Sequence, residues 1–418
     1  MSTSLSVDEM THPRLRDDIV FGPPQTHGAN TTYLLKDRYT NWFYRVGSRE
    51  YFLLSRMDGS KSLQILSEEY ATAFGRKMNG QSWEGLFRLL EKRQLLVSGS
   101  EVAYLEELRL ERTRRDKREN TSLLRKRFPL VNPDRFLTSI LPLVRFAYTR
   151  AFVLSALLCI VALEIFVLFN LRTIILDAWS GRSLPVFLCY IGFLGLFTIL
   201  HEFAHGLTCK RFGGTVKEIG IIWRYLLLVP YCKIDDAMLF HNRWHRIYTS
   251  FAGVFVNLLV LVPFGLLWQY APAHSAVKTL SALMLLWFNT NTFLNLLPFV
   301  ELDGYFMLNH ALDMIDLRQS SYQFWQKKLA QVVLRHKSSR VDYAVREQII
   351  YLIYGFLSFI VTAGFLAGLM WVWFTEVNQW LGPFVSGSLA LVTALVVLSK
   401  SPANAWIKRV LFGRKTSR

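Results

Sequence analysis

The stretch "TILHEFAHGLTCKRFGG", Thr198 to Gly214, places two histidines and a glutamate at the end of a long apolar run. His201 and His205 are four residues apart, so on a helix their imidazoles lie on one face and can reach one ion. Glu202 sits between them. In an H-E-x-x-H helix the glutamate is not a ligand: it takes a proton from water acidified by the metal and returns it to the leaving amine. A carboxylate within a membrane span costs on the order of 3 kcal/mol, so such a group faces a cavity, a partner or an ion.

A hydrolytic metal site needs a third protein ligand and an open position. Cys209, one turn beyond His205, and Glu301, Asp303 and His310 are the candidates. Three ligands from one straight helix would strain tetrahedral angles, which favours packing for Cys209. A later run, "NTFLNLLPFVELDGYFML" from Asn291, contains Pro298, which breaks a helix and frees backbone where Asp303 can turn toward an ion. A second pair, His241 and His245, is flanked by Arg243 and Arg246 without a nearby carboxylate base, and reads as an interfacial stripe. Glu164 lies inside another apolar run, with no partner legible in the sequence.

The elements that must position these groups are membrane helices. Of 418 residues, 52% are hydrophobic and 14% aromatic, and mean hydropathy is +0.24. Six stretches, 152–171, 184–207, 251–271, 277–299, 349–374 and 383–399, are each long enough for a hydrocarbon layer of about 30 Å. The fold predicted is a polytopic α-helical membrane protein of about six spans. The net charge of +17 falls between these runs rather than on an aromatic-interleaved face, which fits membrane orientation and argues against nucleic acid. Basic loops after the second and fourth spans, with Lys210, Arg211, Arg243, Arg318 and Lys327 among them, and the basic tail 401–418 place both termini in the cytoplasm of a cell membrane. In that orientation His201 lies 17 residues inside the second span, about 25 Å from its outer end. The four cysteines make no C-x-x-C pair, so no disulfide framework is expected, and the N-terminus shows no signal-peptide h-region.

Before the spans, 1–31 reads as a tail and 32–98 as a small soluble α+β domain of winged-helix type. Its β-type pieces "TNWFYRV" and "QLLVSG" alternate with helical pieces and the turns "DGS" and "MNGQS". Residues 99–150 form a basic juxtamembrane linker suited to anionic membrane lipids, and 151–400 the membrane domain. Between the histidine helix and the next span, "GGTVKEIGIIWRYLLLVPYCKIDDAM" is rich in β-branched and aromatic residues and predicts a strand or hairpin beside the site.

The H-E-x-x-H helix followed by the N-x-x-P-x-x-x-x-D-G pattern of Asn295, Pro298, Asp303 and Gly304 resembles the site-2 protease family of intramembrane zinc metalloproteases. The resemblance spans roughly 184–312 and implies a site-2-protease-like core, with Zn2+ held by His201, His205 and Asp303 and with Glu202 as general base. Asn295 and Asn257 would then position substrate. The stretch "FAGVFVN", with Gly253 and Asn257, is similar to that family's A-G-P-x-x-N, with Val254 where proline is usual. The N-terminal stretch "NWFYRVGSREYFLLSRMDGSKSLQIL" resembles the leader-recognition domains related to PQQ-synthesis protein D, which capture a precursor peptide by adding it to a sheet edge.

Together these resemblances imply an intramembrane zinc metalloendopeptidase that cuts near the cytoplasmic leaflet and matures a ribosomally made peptide precursor, or a membrane-protein substrate. A non-cleaving membrane protein for peptide binding, immunity or export stands as the alternative, which the intact Glu202 disfavours. A di-iron desaturase or hydroxylase needs more histidines at one leaflet than His12, His27, His274 and His336 supply.

Overall fold

A computed structural model describes residues 11–97, 102–119, 125–180, 183–224, 227–334 and 343–364, with a few positions between 367 and 382. The chain divides into two compact units. The first runs through Ile315 apart from His27–Ala29; the second is that turn together with the chain from Asp316.

The first unit begins with a three-stranded sheet, β1 (Ile19–His27), β2 (Asn30–Asp37) and β3 (Phe43–Gly47), in that order. β2 and β3 are antiparallel, with Tyr33 opposite Val46. Helices α1 (Ser48–Leu54), α2 (Leu63–Phe74) and α3 (Gly80–Lys92) follow, and α2 and α3 start on side-chain caps from Ser62 and Asn79. Leu35, Leu53, Leu66 and Leu90 form the core between sheet and helices. The helical pieces lie where the sequence places them. The sheet also takes in Ile19–His27, a stretch read from sequence as tail.

The linker contains more structure than its basic composition predicts. After α4 (Val102–Glu119), strand β4 (Arg125–Val131) pairs antiparallel with β5 (Ile219–Arg224), which pairs with β6 (Leu227–Cys232). The predicted hairpin is therefore two strands of a three-stranded sheet whose third strand comes from about 90 residues upstream. The backbones pass closely: a Cβ at Gly220 would lie 2.3 Å from the Phe128 carbonyl oxygen. Helix α5 (Asp134–Ile140) then docks beside the histidine helix, where Asp134 accepts from Lys210 Nζ at 3.0 Å and from the Val216 amide at 2.8 Å.

The long helices are α6 (Arg150–Ser180), α7 (Leu184–Arg211) and α8 (Arg243–Tyr270). Leu163, Ile174, Phe197, Leu261, Phe264 and Phe288 pack between them, whereas outward apolar residues such as Leu158 and Phe169 are exposed. With Val345–Gly364, they make four helices among the described residues that are long and apolar enough to cross a membrane. The predicted span 277–299 is an unbroken helical run from Ala276 to Asn295, in which α9 (Ala276–Leu283) passes through a π-helical turn (Met284–Phe288) into α10 (Asn289–Asn295). The predicted span 383–399 lies outside the described residues. Helix α11 (Asp303–Leu312) packs on α8 and completes the surroundings of the site.

In the second unit, α12 (Leu317–Leu334) packs on α13 (Val345–Gly364). Tyr322 and Ser358 hydroxyls meet at 3.2 Å, and Gly355 leaves room for the Trp325 indole.

Candidate metal centre

His201 and His205 lie in the C-terminal half of α7, where the helix continues past its apolar run, and both are more than nine-tenths buried. The i, i+4 spacing brings their Nε2 atoms within 3.1 Å of each other. Asp303 arrives from the opposite side. The chain leaves α10 at Asn295, breaks at Pro298 and re-enters helix at Asp303, the first residue of α11. This return requires Gly304: a Cβ there would lie 2.0 Å from the Leu296 carbonyl oxygen. Asp303 Oδ2 is 3.1 Å from His201 Nε2, and Oδ1 is 3.3 Å from His205 Nε2.

The three donors form a triangle that can hold a divalent metal. Ligand atoms about 2.0–2.1 Å from a tetrahedral centre stand about 3.3 Å apart, the spacing found here. His205 Nδ1 lies 2.7 Å from the Thr249 carbonyl oxygen, which fixes its proton on Nδ1 and turns the Nε2 lone pair toward His201 and Asp303. The backbone of α8 closes the site at Gly253, where a Cβ would lie 2.5 Å from both His201 Cε1 and His205 Nε2. His201, His205 and Asp303 form the single such cluster of histidine, cysteine or acidic side chains among the described residues.

Glu202, next along α7, lies beside the backbone of Cys232 at the end of β6. The hairpin thereby reaches the carboxylate expected to move protons. Asn295 donates from Nδ2 to Asp303 Oδ2 at 2.8 Å, so its direct partner is a predicted ligand. Asn257 is buried on α8 with Oδ1 unpartnered, and it makes no hydrogen bond to the three ligands.

The remaining candidates lie elsewhere. Cys209 is fully buried among Leu137, Val216 and Phe240. Glu301 is exposed. His310 is buried near the end of α11, and burial, then the Arg246 guanidinium, pushes its pKa down to about 4. His245 stacks on Phe212 with ring centroids 4.0 Å apart, which accounts for it as packing. Glu164 has a partner that the sequence did not reveal: Asn289 donates to Oε2 at 2.9 Å across α6 and α10. Comparison of the chain with protein-family models, with curated proteins and with solved structures finds no match.

Proposed function

We propose that the chain is an intramembrane zinc endopeptidase that cuts a peptide bond near the cytoplasmic leaflet and matures a ribosomally made precursor presented by the N-terminal domain. The observation that carries this reading is the convergence of His201, His205 and Asp303 beside Glu202 on helices whose outer faces are apolar. Two histidines, one carboxylate and an adjacent unligated glutamate make a donor set suited to hydrolysis.

His201, His205 and Asp303 would hold the ion, which when bound supplies a Lewis acid for the scissile carbonyl and acidifies water. Glu202 takes the proton from that water and returns it to the departing amine, so one carboxylate serves both transfers. Thr249 holds His205 in the ligating tautomer, and Asn295 orients Asp303. A helical peptide hides its carbonyls in its own hydrogen bonds, so cleavage requires an unwound stretch. β6 is an edge strand whose last residue touches Glu202, and its edge can pair with such a stretch. Six spans with both termini cytoplasmic complete the proposal.

The test is metal content and cleavage in detergent-purified protein. About one zinc per chain is expected in wild type and in Glu202→Ala, with loss in His201→Ala. Cleavage of peptides encoded nearby should disappear in both variants. Well-folded wild type without zinc would overturn the reading, and zinc without cleavage would favour the non-cleaving peptide-binding alternative.

A further inference from the structure

The N-terminal sheet, α4 and the sheet beside the metal centre enclose a cleft of about 380 Å³. Its frame is tied together by Lys36 of β2, which pairs with Asp236 just beyond β6, and by Gln25 Nε2, which donates to the Met238 carbonyl at 3.2 Å. Six cations line it: Lys36, Arg109, Arg112, Arg127, Lys217 and Lys233. Three carboxylates share the lining, each of them engaged, and Glu106 beside it pairs with Arg109 at 3.3 Å. Asp236 accepts from Lys36 and Thr215, Glu218 accepts from Tyr231, and Asp235 lies 3.9 Å from Lys233. Lys217 has no hydrogen-bond or ion-pair partner among the described residues.

Two features of the frame favour an extended peptide as occupant. β3, which supplies Phe43, and β4, which supplies Arg127 and Pro129, are edge strands of their sheets. Their outer backbone groups are therefore available to a chain laid between them. The cleft also adjoins the strand that runs beside the reacting groups. Lys233 lines it, and the preceding residue, Cys232, ends β6 beside Glu202, so a chain leaving the cleft along β6 passes the proton-transfer carboxylate.

We propose that this cleft docks an acidic, extended segment of the peptide substrate and feeds the adjoining residues along β6 to the metal centre. The docking rests on charge and strand edges; only the identity of the occupant as substrate rests on the peptidase reading. The surplus of cations selects acidic over basic peptides and speeds encounter, and makes binding salt-sensitive.

The test uses the full chain in detergent, with a fluorescent oligoglutamate peptide as probe and oligoglutamine and oligolysine peptides as controls, read by anisotropy. Wild type and Glu202→Gln should bind oligoglutamate alike and selectively, which separates docking from catalysis. Combined Arg127→Glu and Lys217→Glu should weaken binding by about tenfold or more with zinc content unchanged. Reversal of Arg88 and Lys92, exposed on α3 away from the cleft, should change it less than about twofold. Equal loss from the α3 reversals would reduce the effect to overall charge and overturn the proposal. So would unchanged binding in the cleft variant, or loss in that variant of binding to phosphatidylglycerol vesicles without loss of peptide binding. If wild type lacks zinc yet oligoglutamate binding follows these variants, the peptidase reading fails while the docking cleft stands.

Discussion

Gly253 of α8 lies against His205 so closely that a methyl group at its Cα would stand 2.5 Å from the imidazole Nε2, the atom that faces Asp303. The same methyl would meet His201 Cε1 at 2.5 Å. Neither ring can retreat freely, because Thr249 holds His205 from the other edge and both rings are buried. Gly253→Ala is therefore expected to force the two ligands apart, at an overpacking cost of about 1–3 kcal/mol. Zinc affinity, measured by competition with a chromophoric chelator, should fall by at least about tenfold. Unchanged affinity would show that the histidines are not the ligands.

Asn295 acts on the centre through Asp303. Its Nδ2 donates to Oδ2 at 2.8 Å and so restrains the carboxylate whose oxygens face both histidines. Asn295→Ala should lower metal affinity by about 10- to 100-fold while preserving the fold, the range typical of outer partners to metal ligands. The distinguishing readout is saturation with zinc: activity of Asn295→Ala should recover when excess zinc is supplied. If activity stays low with the site filled, Asn295 touches substrate instead.

Much of this centre is legible in sequence, for local reasons. Helical spacing alone joins His201 to His205, and a proline followed by Asp303-Gly304 marks a break after a membrane helix. The strand-like composition of 219–232 likewise announces β5 and β6. What stays hidden is set by distant partners. Arg125–Val131 reads as a basic anchor because nothing local shows that its backbone pairs with β5. The π-helical turn at Met284–Phe288 lies inside a continuous helix, and the hydropathy of that apolar run gives no sign of it. Gly253 and Gly304 stand out in sequence only as members of motifs, and the approach of His205 and of the Leu296 carbonyl shows why no side chain fits.

Glu164 and Asn289 join α6 to α10. Asn289 Nδ2 donates to Glu164 Oε2 at 2.9 Å, while Glu164 Oε1 and Asn289 Oδ1 are both buried without partners. An amide at 164 would accept from Asn289 through its oxygen and donate to the orphaned Oδ1, satisfying both positions. Glu164→Gln should therefore match or exceed wild type in thermal stability in detergent. Glu164→Ala, which strands the Asn289 amide, should lose about 1–3 kcal/mol. A Gln variant as unstable as the Ala variant would mean that the carboxylate has another role.

His310 gives the first unit a pH dependence whose sign follows from its surroundings. Burial, then the Arg246 guanidinium that Asp313 pairs with, disfavours the imidazolium and brings the pKa from 6.5 down to about 4. The unfolded chain thus binds a proton at higher pH than the folded one. Stability from this group is complete above pH 6.5 and is lost as pH falls toward about 4, by roughly 3 kcal/mol in all. His310→Asn removes the titrating group, so thermal unfolding in detergent at several pH values should show a flatter decline between pH 6.5 and 4 in the variant. The comparison is made after chelation, so that any metal released on acidification affects neither protein and His310 is the difference between them. Parallel declines would place the protonation elsewhere.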